Sequence, residues 1–297
     1  MFRSGFVSLV GRANVGKSTL LNAIMGQKVS IVSRKPQTTR NNVRAIATGE
    51  DYQIVFIDTP GMHKPKNKLG EFMVSSVHSA TKDIDAVVYV FDANVKAIPK
   101  GDLDLIEMMK NVEVPIFLVL NKVDLVVKEN LLVLIDELSK LLNPKAIIPI
   151  SALKNDGVDI LVEEIKKILP KGPKYYPDDM FVDSTLRELV AEVIREKVLS
   201  FTSEEVPHGV GVEVIQFTEP TRPNGVYHIE ATIYCEKNSH KGILIGKEGR
   251  MLKRIGQTAR VDIENLVGGQ VNLKLWVKVK DDWRNNSYML KELGYKE

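Results

Sequence analysis

The feature that most constrains the fold is the loop GRANVGKS, from Gly11 to Ser18. It fits the pattern G-x-x-x-x-G-K-[ST], follows the apolar run 6–10 and precedes the apolar segment 19–25. A strand, a glycine loop and a helix in this order point backbone N–H groups and a helix N-terminus at one phosphate. We predict that Lys17 contacts the β- and γ-phosphates of a nucleotide and that Ser18 binds Mg²⁺. The predicted contacts in this loop are Gly11, Arg12, Ala13, Asn14, Val15, Gly16, Lys17, Ser18 and Thr19.

Composition limits the class of protein. The 297 residues are enough for two domains of ordinary size, and 44% hydrophobic with 27% charged residues is typical of a globular protein. No apolar run approaches the ~18 residues of a membrane span. The N-terminus leads directly into the loop, so we expect no signal peptide. Cys235 is the single cysteine, which excludes an internal disulfide and favours the cytoplasm.

Two segments after the loop predict further Mg²⁺ ligands. The apolar run 54–57 reads as a strand and ends in the sequence DTPG. Asp58 at the tip of a buried strand can hold Mg²⁺ through water, and Gly61 lets a backbone N–H approach the γ-phosphate. An earlier stretch without helical or strand period contains Thr38 and Thr39. A mobile switch there could bring one of these hydroxyls to the metal.

The base is predicted from the ends of later strands. Unbroken apolar runs, typical of parallel strands covered on both faces, occur at 86–91, 116–120 and 146–150. The second run is followed by the sequence NKVD. The Asp124 carboxylate can accept from N1–H and the 2-amino group of guanine, a donor pair that adenine lacks. Asn121 is expected to brace the loop, and the Lys122 stem to lie over the base. After the third run come Ser151 and Ala152, whose N–H could donate to guanine O6.

These motifs, in this order, resemble the translation-factor-like class of P-loop GTPases over residues 1–170. The resemblance implies hydrolysis of GTP to GDP with Mg²⁺ by in-line attack of water. It assigns the metal to Ser18, Thr39 and Asp58, with Thr38 as the alternative to Thr39. The implied catalytic groups are Lys17, Thr39, Gly61 and Asn14.

One position departs from the Ras-like pattern of this class. Met62 follows the DTPG sequence, where Ras-like members place the glutamine that orients the attacking water. A methionine side chain cannot perform that task. In GTPases that lack the glutamine and carry asparagine in the phosphate loop, the family pattern is a K⁺ ion near the β–γ bridge. Asn14 therefore leads to the hypothesis that hydrolysis depends on K⁺.

The second half of the chain is predicted as a smaller α+β domain. The stretch 170–179 contains three prolines and a glycine and reads as an extended linker. The predicted elements that follow are a helix over 185–199, antiparallel strands over 210–217 and 227–235, a helix over 251–266, a strand over 270–280 and a helix over 283–293. We place the domains at 1–170 and 181–297, joined by a linker at 171–180.

A G-x-x-G sequence at 246–249 lies within a basic cluster. Lys and Arg balance Asp and Glu across 181–297, but the basic residues concentrate between 237 and 260, where Glu248 is the single acid. Glycines let an RNA backbone approach, cations neutralise phosphates and apolar side chains can lie under unstacked bases. The order of elements resembles the prokaryotic KH fold, which clamps about four single-stranded nucleotides. The predicted RNA contacts are Ile243, Ile245, Gly246, Lys247, Gly249, Arg250, Lys253 and Arg254.

The pairing of a GTPase domain with a KH domain resembles the bacterial Era family over the whole chain. Matching stretches include 37–40, 58–61, 175–179 and the G-x-x-G sequence. The resemblance implies a GTP- and GDP-binding factor for small ribosomal subunit assembly that binds the 3′ end of 16S rRNA. It also implies peripheral association with the inner face of the cell membrane, and we expect a monomer.

Two alternative functions stay open from the sequence. One is a signalling switch whose C-terminal domain binds a protein or a membrane. The other is a tRNA-modifying GTPase, which Asn14 and Met62 would also fit, although this chain lacks the C-terminal cysteine of such enzymes.

Overall fold

A computed structural model describes residues 1–33, 35, 38–61, 65, 67–80 and 83–295. The chain divides into two compact units, the first built mainly from residues 1–183 and the second mainly from residues 184–297. Each unit has its own buried apolar core. Among the helices that the structure describes, none has the length and hydropathy needed to cross a membrane.

The first unit is built on a six-stranded sheet in the order β2-β3-β1-β4-β5-β6. β2 pairs with β3 antiparallel, and all other neighbouring strands are parallel. This confirms the predicted mixed, mostly parallel sheet. The strands are β1 (Arg3–Val10), β2 (Val43–Thr48), β3 (Tyr52–Asp58), β4 (Ala86–Asp92), β5 (Ile116–Asn121) and β6 (Ala146–Pro149).

Helices cover both faces of this sheet, and successive residues of a strand enter different cores. From β4, Val88 and Val90 pack with one group of helices, whereas Val87 and Tyr89 pack with the other. Burial on both faces explains why these strands are unbroken apolar runs. The first core includes α1 (Lys17–Met25) and α5 (Val158–Ile168), and the second includes α3 (Lys100–Met109) and α4 (Lys128–Leu141); α2 (Lys68–Ser79) completes the unit.

Strand β2 was not predicted from the sequence. This strand buries two consecutive residues, Ala45 and Ile46, so it lacks the alternating pattern of a half-buried strand. The turn at Gly49, which leads into β3, was the available signal.

The stretch predicted as a linker packs along the first unit. Gln53, fully buried on β3, accepts the N–H groups of Tyr175 and Tyr176 at 2.7 and 3.0 Å. Its amide nitrogen donates to the Tyr176 carbonyl at 2.9 Å. Further along, backbone hydrogen bonds join residues 181 and 183 to β2. The prolines exclude a helix but leave enough N–H groups to hold the stretch against the sheet.

Replacing Gln53 with Leu should lower the free energy of unfolding of the first unit by about 2 to 4 kcal/mol. The change removes three hydrogen bonds to the partly exposed backbone of residues 175 and 176, and each such bond contributes about 0.5–1.5 kcal/mol. Urea denaturation followed by circular dichroism measures the effect. Tryptophan fluorescence would not report on the first unit, because both tryptophans lie in the second. The control is Gln216→Leu at an exposed position, with an expected change within about 0.5 kcal/mol. Equal stability of the two variants would contradict the role assigned to Gln53.

The second unit is a three-stranded sheet with helices packed on one face. β7 (Gly211–Thr218) and β8 (Val226–Cys235) are antiparallel, and β9 (Gln270–Val279) lies parallel to β8. Alternate residues of β8, including Ile229 and Ile233, pack with Ile255 and Ile263 of a long helix. The helices are α6 (Leu186–Phe201), α7 (Asn238–Ile245), α8 (Arg250–Val267) and α9 (Ser287–Glu292). This confirms the predicted smaller α+β domain.

Two helical segments differ from the prediction. The short helix α7 was not identified, because it shows an apolar run without a helical period. The helix predicted over 283–293 is instead a 3₁₀ turn at Trp283–Asn285 followed by α9. Asn286 separates them, since its side chain accepts the N–H groups of Tyr288 and Met289 and so caps a new helix.

Candidate functional site

The loop from Gly11 to Ser18 connects β1 to α1 and holds the lysine side chain inside it. The Lys17 ammonium donates to the carbonyls of Gly11 and Arg12, at 2.9 and 3.0 Å. Burial lowers the pKa of Lys17 to about 8, while the Asp58 carboxylate opposes this shift. The lysine is thus placed within the loop where the motif requires a cation for the terminal phosphates.

Asn121 contacts the phosphate loop at a position where only glycine fits. Its amide nitrogen donates to the Val15 carbonyl at 2.8 Å. Gly16 has a φ of 102°, and a Cβ there would lie 2.2 Å from the same amide nitrogen. Because Gly16 lacks a side chain, the end of β5 can approach the loop closely.

Three hydroxyls converge on one oxygen of Asp58. Oδ2 accepts from Ser18 at 2.8 Å, from Ser30 at 3.0 Å and from Thr39 at 3.4 Å. The hydroxyl oxygens of Ser18 and Thr39 lie 2.9 Å apart. Within the part of the chain that the structure describes, Asp58 Oδ1 is buried and has no hydrogen-bond partner. Burial raises the pKa of Asp58, and Lys17 and the hydroxyls oppose that rise.

This cluster fits Mg²⁺. It offers hard oxygen donors and a buried carboxylate oxygen that lacks a partner, which are the ligands Mg²⁺ prefers. The geometry also separates the two candidate threonines. Thr39 is buried in the cluster, whereas the Thr38 hydroxyl donates to the Lys35 carbonyl at 2.6 Å.

Ser30 is a member of this cluster that the sequence analysis missed. The side chain of Asn22 fixes its backbone, because Oδ1 of Asn22 accepts the N–H groups of Val29 and Ser30 at 2.9 Å each. Ser30 lies in an aperiodic stretch, and no motif spacing marks it. Its approach to Asp58 depends on this contact with α1.

The residues predicted to read the base lie together at the ends of β5 and β6. Asp124 Oδ1 accepts the Ser151 hydroxyl at 2.7 Å, which orients the carboxylate. The Ala152 N–H donates to Asn121 Oδ1 at 3.0 Å, so its contact with guanine O6 stays a prediction. The set of strand ends therefore presents one oriented carboxylate beside the phosphate loop.

Lys122 spans from this region to the phosphate loop. Its ammonium contacts the Asn14 carbonyl at 2.9 Å and the Asp92 carboxylate at 2.5 Å. Asp92, which was not predicted from the sequence, ends β4 beside Asn121 of β5. Both contacts are made by the ammonium, so the end of the Lys122 side chain is fixed, and the position of its stem over the base stays a prediction.

Gly61 lies directly against the phosphate loop. A Cβ on Gly61 would be 2.6 Å from Cα and 2.7 Å from the nitrogen of Ala13. A side chain at this position would displace one segment from the other. Met62, the residue that replaces the usual glutamine, lies outside the described residues.

The G-x-x-G sequence forms a tight turn between α7 and α8. Gly246, Glu248 and Gly249 all have positive φ, at 71°, 53° and 75°. Gly249 is the N-cap of α8, so the turn leads directly into free helical N–H groups. Lys247 at this turn is exposed.

The other predicted RNA contacts differ in their exposure and in the contacts that their side chains already make. Arg250 pairs with Glu248 at 2.8 Å, and the Arg254 guanidinium lies 4.3 Å from the centre of the Phe201 ring. Ile243 is 49% exposed, whereas Ile245 packs against the core of the second unit. The exposed predicted contacts are Ile243, Lys247, Arg250, Lys253 and Arg254.

Fold, motifs and family models together define the class: a P-loop GTPase joined to a KH domain. One model, described as a 50S ribosome-binding GTPase, matches residues 6–122, and a KH domain model matches residues 205–284. The chain belongs to the GTPase Era family, which confirms the family, the fold and the GTP-hydrolysing activity predicted from its sequence.

Relatives match the chain over its full length. GTPase Era of Ruminiclostridium cellulolyticum is 54% identical over 295 residues, which are 99% of this chain and 98% of the relative. GTPase Era of Clostridium botulinum strain Eklund 17B is 54% identical over 100% of both chains. A crystal structure of Era with MgGDPNP and nucleotides 1506–1542 of 16S ribosomal RNA gives a TM-score of 0.94 at 38% identity, with 100% of both chains covered. A crystal structure of an Aquifex aeolicus Era variant bound to GDP and AlF₄⁻ gives a TM-score of 0.93 at 38% identity, again with 100% of both chains covered.

Proposed function

We propose that this GTPase binds the 3′ end of 16S rRNA through its KH domain and acts in assembly of the small ribosomal subunit. The observation that carries the proposal is the likeness to the Era structure that contains 16S rRNA, which extends over the full length of both chains. The exposed cations beside the G-x-x-G turn support it, since phosphate contacts supply much of the affinity for RNA.

Lys247 is the residue that we propose as the phosphate contact at the turn. It is exposed, and it stands between two glycines whose lack of side chains admits an RNA backbone. Ile243, on the exposed side of α7, is proposed to lie under an unstacked base.

The test is binding of the purified protein, loaded with GDPNP, to a single-stranded RNA with the 3′-terminal sequence of 16S rRNA. RNAs of equal length from the 3′ end of 23S rRNA and of scrambled sequence serve as competitors, because the matching GTPase model is described by the 50S subunit. We expect the 16S RNA to bind at least about 30-fold more tightly and Lys247→Glu to remove most of this binding. Equal binding of all three RNAs would refute the assignment.

For the nucleotide, we propose that Ser18, Thr39 and Asp58 hold Mg²⁺ and that Lys17 contacts the terminal phosphates. Bound Mg²⁺ would neutralise charge on the β- and γ-phosphate oxygens. Thr39 and the Gly61 N–H are proposed to change their contacts when the γ-phosphate is present. Thr39 lies against Ser18, and Gly61 lies against Ala13 of the phosphate loop. Release of these two groups after hydrolysis is the proposed event that changes RNA affinity.

We further propose that K⁺ supplies part of the charge that stabilises the transition state. Met62 cannot orient water, and Asn14 stands in the phosphate loop with a φ of 65°. GTP turnover in KCl should exceed that in NaCl of equal ionic strength by about tenfold or more, a magnitude typical of a charge aimed at the transition state. Asn14→Ala should abolish the difference between the salts. Equal rates of the unchanged protein in the two salts would refute the dependence on K⁺.

A cytoplasmic monomer is our proposal for the cellular form, and the buried free thiol of Cys235 supports the cytoplasmic location. The alternative is a switch whose second unit binds a protein or the inner face of the membrane. If the unchanged protein binds the 16S RNA no more tightly than the scrambled RNA, and anionic lipid vesicles instead co-sediment it, the alternative replaces the RNA proposal.

A further inference from the structure

A buried ion pair fastens the phosphate loop to helix α3. The Arg12 guanidinium, through Nε, contacts Oδ2 of Asp102. The Asp102 side chain is fully buried, whereas that of Arg12 is 29% exposed. The second carboxylate oxygen, Oδ1, accepts the hydroxyl of Tyr89 at 2.9 Å, and Tyr89 is itself fully buried on β4. One carboxylate thus joins the loop, the helix and the sheet.

The three groups depend on one another. A buried carboxylate is costly unless it is paired and hydrogen-bonded, and each oxygen of Asp102 has its own donor. The preceding residue, Gly101, leaves room for the arginine stem, because a Cβ there would lie 2.9 Å from Cδ of Arg12. Loss of Asp102 would release the side chain of Arg12 from α3, and loss of the Tyr89 hydroxyl would leave Oδ1 of the buried carboxylate without this donor.

Arg12 also contacts Lys17, through its backbone carbonyl. The Arg12 carbonyl accepts the Lys17 ammonium at 3.0 Å, beside the Gly11 carbonyl at 2.9 Å. Gly11 in turn is packed against β4, since a Cβ there would lie 2.4 Å from the Val90 carbonyl oxygen. Val90 follows Tyr89, so the same strand supports both carbonyls that surround the lysine.

We propose that Asp102 and Tyr89 are positioning residues for GTP hydrolysis. They hold Arg12 against α3, and Arg12 fixes the peptide group that places Lys17 for the phosphates. This inference rests on the phosphate role proposed for Lys17. Small displacements matter at this point, because a shift of about 1 Å in a catalytic group can cost on the order of 100-fold in rate.

Asp102→Asn removes the charge but keeps the shape and an acceptor for Tyr89. We expect kcat for GTP hydrolysis to fall by about 10- to 100-fold, while the dissociation constant for GDP rises by less than about threefold, because a small displacement of Lys17 weakens its β-phosphate contact less than it misaligns the transition state. Tyr89→Phe, which removes one hydrogen bond, should lower kcat by about 3- to 10-fold. Unchanged kcat in both variants would overturn the proposal.

A double variant separates positioning from simple stability. Arg12→Leu with Asp102→Asn removes both charges and keeps an acceptor for the buried Tyr89 hydroxyl, so no buried charge is left unpaired and the Tm should lie close to that of the unchanged protein. The kcat should stay low, since Arg12 no longer holds the peptide beside Lys17. Recovery of both Tm and kcat would show a structural role alone and overturn the proposal.

Two further variants complete the experiment. Glu107→Gln, also on α3, breaks an exposed ion pair with Lys110 and should change neither kcat nor Tm. Lys17→Ala tests the underlying assignment: a large loss of kcat supports it, whereas full activity would refute the role of Lys17 and, with it, the positioning role of Asp102.

Discussion

Replacing Asp124 with Asn should change the preferred nucleotide of this protein from GTP to XTP. The carboxylate is expected to accept two hydrogen bonds from the guanine edge, and an amide can accept only one while presenting a donor. Hydrogen bonds to charged groups contribute about 1.5–3 kcal/mol each, so GTP affinity should fall by roughly 100- to 10,000-fold. Xanthine carries a carbonyl in place of the 2-amino group, and the new amide donor can bond to it. Competition between XTP and GTP for a fluorescent nucleotide measures the exchange.

Ser151→Ala is the matched control for this change. It removes the hydroxyl that donates to Asp124 at 2.7 Å but leaves the carboxylate charge in place. We expect a loss of GTP affinity of about tenfold or less and no gain for XTP. If Asp124→Asn kept its affinity for GTP, another group would have to recognise the base.

Replacing Gly249 with Asp should lower the affinity for single-stranded RNA by about 30-fold or more. The substitution adds a side chain and a negative charge where we place an RNA backbone, and repulsion of phosphate there costs about 2 kcal/mol or more. Among the described residues, no heavy atom lies within 4 Å of a Cβ at this position, so the fold can accept the side chain. Filter binding measures RNA affinity, and GTP turnover in the same preparation should stay unchanged.

Gly268→Asp provides a control at the other end of the same helix. Gly249 caps the N-terminus of α8 with a φ of 75°, and Gly268 caps its C-terminus with a φ of 67°. Both positions leave space for a Cβ, so both variants carry a similar backbone cost of about 1 kcal/mol. Only the first lies beside the basic turn. Equal RNA affinity of the two variants would contradict the placement of RNA at this turn.

The sequence was sufficient to predict that the motif residues at the ends of apolar strands lie near one another. The loop ending in Ser18, the carboxylate of Asp58 and the NKVD sequence each follow an apolar strand, and parallel strands bring such ends to one edge of a sheet. That these residues lie together could therefore be predicted from the sequence, whereas the geometry was needed to favour Thr39 over Thr38 as the proposed metal ligand.

Residues that act through tertiary contacts could not be predicted in this way. Ser30 reaches Asp58 because Asn22 holds its backbone, and Asp102 reaches Arg12 from a helix 90 residues further along the chain. No fixed spacing links either pair. Gln53 shows the same limit, because a lone glutamine within a strand gives no sign that it binds a proline-rich stretch more than 120 residues away.

Crosslinking with sequencing of the bound RNA tests the central claim most directly. The protein, loaded with GDPNP or with GDP, is crosslinked to RNA from immature ribosomal subunits, and the attached fragments are sequenced. The account predicts that fragments from the 3′ end of 16S rRNA dominate in the GDPNP state, decrease with GDP and are lost in Gly249→Asp. Fragments spread over other RNAs, or the same yield from the 3′ end in both nucleotide states, would contradict nucleotide-dependent binding to 16S rRNA.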